Sequence, residues 1–66
     1  MGMDGWYIEL YSPDGTRIWA KDSQTFDQTL KVIQERENGQ TVRFIAPRNA
    51  TVNQLQKLES LEAIRS

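Results

Sequence analysis

Sixty-six residues hold one domain and no more, and without cysteine or histidine that domain has neither a disulfide nor a Cys/His metal site to brace it. Eight Lys and Arg against nine Asp and Glu leave a formal charge of −1, so the chain as a whole has no pull toward nucleic acid or an anionic membrane. An efficient core or self-association must stabilise so small a chain.

The chain opens with Met1-Gly2-Met3, which reads as an added start ahead of a native Met3. No basic start leads into an apolar signal core, and no apolar run approaches the roughly 20 residues of a membrane span. The expected compartment is the cytoplasm, with which the absence of cysteine is compatible. Asn49-Ala50-Thr51 is a sequon with no secretion signal to give it meaning.

Residues 6–21, WYIELYSPDGTRIWAK, read as a strand, a tight turn and a second strand. Pro13 fixes φ at the first corner, and Gly15 supplies the left-handed position that closes the hairpin with a bulge. If Ser12 pairs with Thr16, an unbroken register sets Leu10 opposite Ile18 and Ile8 opposite Ala20 on one face. The other face then carries Tyr11 with Arg17, Glu9 with Trp19, and Tyr7 with Lys21. After Asp22 the period changes. Thr25 and Gln28 form a capping box, and Phe26, Leu30 and Ile33 share one side of a helix expected to run to about Asn38 and stop at Gly39.

TVRFIA then alternates as a third strand, with Val42, Phe44 and Ala46 on one side and Thr41, Arg43 and Ile45 on the other, until Pro47 ends it. Thr51 and Gln54 form a second capping box, opening a helix expected to reach about Ile64. Its Val52, Leu55, Leu58 and Leu61 lie three apart, so the row winds about 60° per step and makes a broad apolar face.

These elements predict a single α+β domain over 1–66 of order ββαβα. Its sheet is three-stranded and antiparallel with strand order 2-1-3, one helix packs on the inner face, and a second helix lies at the C-terminus. The core is expected from Ile8, Leu10, Ile18, Val42 and Phe44 under the first helix, with Trp6 packing at one end.

The opposite face is where a function can be sought, because it carries Tyr7, Glu9, Tyr11, Arg17, Trp19, Lys21, Arg43 and Ile45. Three accounts compete. The second helix covers the face as a second small core. Or the face stays open and docks a protein partner, with Tyr7, Tyr11 and Trp19 as anchors, Ile45 in the same patch, and Arg17, Lys21 and Arg43 as rim. Or the open face binds single-stranded nucleic acid by stacking bases on its rings, against which Glu9 and the net charge count. A homodimer through Leu55, Leu58 and Leu61 is a further alternative.

Catalytic chemistry has little to stand on. Without histidine or cysteine there is no thiol nucleophile and no Ser–His pair, and the carboxylates are scattered with no reason to converge as a dyad. Gly2, Gly5, Gly15 and Gly39 make no phosphate loop. Neither a metal nor a cofactor is expected. The sequence therefore predicts a non-enzymatic, compact prokaryotic or viral accessory protein that bridges or occludes a protein partner. Nucleic-acid binding on the same face is the alternative.

Overall fold

The computed structural model describes residues 5–66; the start at Met1–Met3 and the carboxylate of Asp4 lie outside the described residues. In chain order the elements are β1 (Trp6–Tyr11), β2 (Arg17–Gln24), α1 (Phe26–Glu35), β3 (Thr41–Ile45), α2 (Val52–Ser60) and β4 (Ile64–Arg65). The class is α+β, as expected. The sheet has four strands in the order β2-β1-β3-β4, with β1 antiparallel to both neighbours and β4 parallel to β3. The expected 2-1-3 order is thus present, but a short fourth strand makes the sheet mixed.

The hairpin turn forms as its residues dictate. Ser12 N–H donates to the Thr16 carbonyl at 2.8 Å, Gly15 N–H to the Ser12 carbonyl at 2.9 Å, and Gly15 takes φ +92°. Asp14 accepts from the Ser12 hydroxyl and, at 2.9 Å, from Thr16 N–H; the Ser12 bond, then the Thr16 contacts, hold its carboxyl down at about 2. Tyr11 then faces Arg17, the first pair of the expected register.

One residue later the register slips. Leu10 faces Trp19 and Ile8 faces Lys21, so Ile18 is an extra residue bulged out of β2. An unbroken ladder would have put Ile18 and Ala20 inside and left the indole on the open face. The bulge turns the larger apolar side chain inward, where Trp19 packs on the core, and leaves Ile18 48% exposed. A second extra residue lies between the Ile8–Lys21 and Trp6–Gln24 pairs, where Ser23 takes φ +56°. Gly5 sits against this second bulge: a Cβ there would lie 2.8 Å from the Gln24 carbonyl oxygen, so only glycine fits. Both irregularities fall on an edge strand, where they break the regular ladder that another chain could pair with.

Both capping boxes are formed, with Thr25 and Thr51 accepting from the backbone of Gln28 and Gln54 and those side chains returning the bond. The helices end earlier than expected. α1 stops at Glu35 because Arg36 is extended, at φ −61° and ψ 148°. Gly39 therefore serves a separate turn, closed by Gln40 N–H on the Glu37 carbonyl, rather than the helix cap. The Arg36 guanidinium donates to the carbonyl of Leu61 at 2.9 Å and, more weakly, to that of Ile33, tying together the C-terminal ends of the two helices.

α2 stops at Ser60, not near Ile64. Ala63 N–H reaches back to the Leu58 carbonyl and Glu62 N–H to that of Glu59, a Schellman closure with Glu62 in the left-handed position at φ +68°. The buried pair Leu58 and Ala63 is its hydrophobic contact. Reversed there, the chain runs back as β4 with Ile64 beside Arg43, and Ser66 N–H donates to the Phe44 carbonyl.

One core results. Trp6, Ile8, Leu10, Val42 and Phe44 from the sheet meet Ile33 of α1, Leu58 of α2 and Ala63. The Trp6 ring lies 5.5 Å from that of Phe26 and 5.8 Å from that of Phe44, both tilted. Thr29 is the single buried polar side chain among the described residues, and its hydroxyl donates to the Thr25 carbonyl. Both helices lie on the same side of the sheet. The account in which the second helix covers the aromatic face is therefore overturned.

Candidate functional site

The sheet face turned away from the helices is built by alternation along three strands and one residue of the fourth. β1 contributes Tyr7, Glu9 and Tyr11; across from them β3 sets Ile45, Arg43 and Thr41, and β2 sets Ala20 and Arg17. Ile64 joins them from β4, beside Arg43. Ile45 and Ile64 are 41% and 48% exposed, whereas Tyr7, Glu9 and Tyr11 are half-buried by their neighbours.

At the centre of this face Glu9 gathers three donors. Its Oε2 accepts from the Tyr7 hydroxyl at 2.9 Å and from the Arg17 guanidinium at 3.2 Å, and its Oε1 accepts from the Tyr11 hydroxyl at 2.9 Å. The Arg17 contact is also the ion pair of the face, with the Glu9 side chain only 14% exposed and that of Arg17 55%. The Tyr11 and Tyr7 hydrogen bonds, with a smaller contribution from Arg17, hold the Glu9 carboxyl below its ordinary value. In turn the bond to Glu9 pushes the Tyr7 hydroxyl up and does the same for Arg17. Every polar tip of the two tyrosines thus has a partner, and the rings are fixed in orientation before anything docks.

Arg43 is placed differently. It stands directly opposite Glu9, yet among the described residues it makes no ion pair. Its guanidinium instead lies 6.0 Å from the centre of the Tyr11 ring, at the edge of cation–π range.

Of the residues expected on this face, Tyr7, Tyr11, Arg17, Arg43 and Ile45 are brought together. Trp19 and Lys21 are not. The bulge at Ile18 moves both to the helix side of β2, where the Lys21 ammonium sits 4.6 Å over the Trp19 ring. Ile64 was missed, since the expected helix ran through it. The expected self-association row is dispersed as well: Leu58 is fully buried in the core, and Leu55 and Leu61 are half-buried against it, so they present no free leucine stripe to a second copy.

Two open depressions lie elsewhere. One, of about 540 Å³, is rimmed by Arg36, Glu37, Asn38, Gly39, Gln40 and Glu62; the other, of about 200 Å³, lies between the caps Thr25 and Thr51. Neither brings two carboxylates into a closed site. Among the described residues no group of three His, Cys, Asp or Glu side chains could hold a metal, and no helix is long and apolar enough to cross a membrane. Compared with protein families, curated proteins and solved structures, the chain matches none.

Proposed function

We propose that this protein is a non-enzymatic binding module that docks a protein partner on the outer sheet face, around Tyr7, Tyr11, Ile45 and Ile64. The observation that carries the reading is that both helices cover the opposite side, so a face with two oriented tyrosines and two half-exposed isoleucines has no cover among the described residues. A central aromatic and aliphatic patch edged by arginine has the composition of an interface core. The compartment proposed is the cytoplasm, and the role that of a small accessory protein which bridges or occludes its partner.

The nucleic-acid reading loses support from the same geometry. Trp19 and Lys21, a ring and a charge it relied on, face the other way. The carboxylate at the centre of the face would repel a phosphate track, and of the two arginines on the face only Arg43 has no ion pair among the described residues. Ile45→Asp tests the protein reading, with a thermal melt to show that the variant keeps its fold. Partner capture from the source cells should be lost with Ile45→Asp and kept with Val52→Asp on the helix side, where Val52 is 66% exposed. Capture at wild-type strength by Ile45→Asp would end the assignment.

A further inference from the structure

Resting on that reading, the charge and size of the face point to the chemistry of its occupant. Arg17 and Arg43 against Glu9 leave the face with one net positive charge, on a chain whose total is −1. The compensated part is the Glu9–Arg17 pair, and the uncompensated part is Arg43. Its guanidinium lies 6.0 Å from the centre of the Tyr11 ring, with Ile64 across the strand and Ile45 along it. An exposed guanidinium without an ion pair has its fork of N–H donors free for the bidentate pair that a carboxylate accepts.

Size narrows the occupant further. Strands about 4.8 Å apart and about five residues long give the four-stranded face a footprint of roughly 300 Å² in projection. A second copy laid face to face would bring two positively charged faces together. A chain segment crossing the sheet, with one apolar side chain seated among the isoleucines, matches both the extent and the charge.

We propose that Arg43 is the specificity contact of this face and that its ligand is an acidic segment of a partner protein, presenting an Asp or Glu carboxylate to Arg43 beside an aliphatic or aromatic anchor on Ile45 and Ile64. A face that carries one fixed anion and one unsatisfied cation selects for a partner of the opposite order and rejects basic segments.

Selection of an unbiased random-peptide library on the intact protein tests this, with the selected peptides mapped by amide NMR and measured against wild type, Arg43→Gln and Arg43→Lys. Arg43 is exposed and unpaired, so both variants should melt as the wild type does. The expected result is a set of peptides enriched in Asp or Glu next to a large apolar residue, with shifts at Arg43, Ile45 and Ile64. Binding should weaken by about tenfold or more for Arg43→Gln, with Arg43→Lys between. Peptides that map to the same residues without acidic enrichment, and bind Arg43→Gln equally, would overturn the carboxylate inference while leaving the face as a docking surface. Peptides that map only to the helices would overturn both. Tighter, salt-sensitive binding of single-stranded oligonucleotides at the same residues would replace the protein partner with nucleic acid.

Discussion

Glu62 should be replaceable by glycine with a gain in stability, and the size of the gain follows from two features of its position. At φ +68° its Cβ sits in the left-handed region, which costs an L-residue about 1–2 kcal/mol relative to glycine in the folded state. Glycine gives back roughly 0.5–1 kcal/mol through its greater freedom in the unfolded chain. The second feature is charge. Glu62 follows the C-terminus of α2, where the helix dipole is negative and an acidic side chain costs about 0.3–1 kcal/mol. The side chain is exposed and makes no hydrogen bond or ion pair among the described residues, so nothing is lost with it. The net expectation for Glu62→Gly is a gain of about 1 kcal/mol, which in a domain this small raises Tm by roughly 4–8 °C. Calorimetry or circular dichroism melts would read it, with Glu62→Ala as the control that removes the charge and keeps the Cβ. Alanine should give only a part of the gain. A Tm for Glu62→Gly at or below wild type would refute the Schellman closure and with it the placement of β4.

Three further outcomes follow from the same geometry. Trp19→Ala removes a ring packed on the core rather than a docking anchor, so it should cost about 1–3 kcal/mol in urea melts and leave the affinity of outer-face ligands unchanged. Gly5→Ala forces a Cβ to within 2.8 Å of the Gln24 carbonyl oxygen and should destabilise by about 1–3 kcal/mol, with amide shifts concentrated at Ser23 and Gln24. Asp14 should titrate with a midpoint near 2 when followed by its carboxyl carbon in NMR. A depressed folded pKa means that its contribution to the hairpin is present above about pH 4, its unfolded value, and disappears as pH falls through 2. In Asp14→Asn that part of the acid sensitivity should vanish.

Much of the fold was written locally. Pro13, Asp14 and Gly15 specify the hairpin turn, the two Thr-x-x-Gln boxes specify where both helices start, and the alternation in Val42 and Phe44 specifies the buried side of β3. What escaped the sequence depends on contacts with distant residues. The bulge at Ile18 carries no glycine or asparagine to announce it; it arises because Trp19 gains more than Ile18 by facing the core. β4 is invisible for a related reason. Leu58 and Leu61 continue a helical spacing, and the left-handed residue that breaks the helix is a glutamate where glycine would have been the signal. The early end of α1 depends on Arg36 finding the Leu61 carbonyl, 25 residues away.

For the candidate site this division has a direct consequence. Tyr7, Tyr11 and Arg17 could be placed from the turn alone, and Arg43 and Ile45 from their own strand. Trp19 and Lys21 were misplaced by a single inserted residue, since a one-residue shift carries every later side chain to the other face. Ile64 could be found only once the end of α2 was known. The central pairing of Glu9 with two tyrosines and an arginine was readable as neighbours but not as bonds.

The central claim is that the open sheet face, and not the helices, is where this protein meets its partner. The most direct test is the amide and methyl NMR footprint of the captured partner on the labelled protein. Shifts and broadening should concentrate at Tyr7, Tyr11, Arg43, Ile45 and Ile64, with α1 and the exposed side of α2 unchanged. A footprint centred on Val52, Gln56 or Lys31, with Ile45 and Ile64 unaffected, would contradict the account.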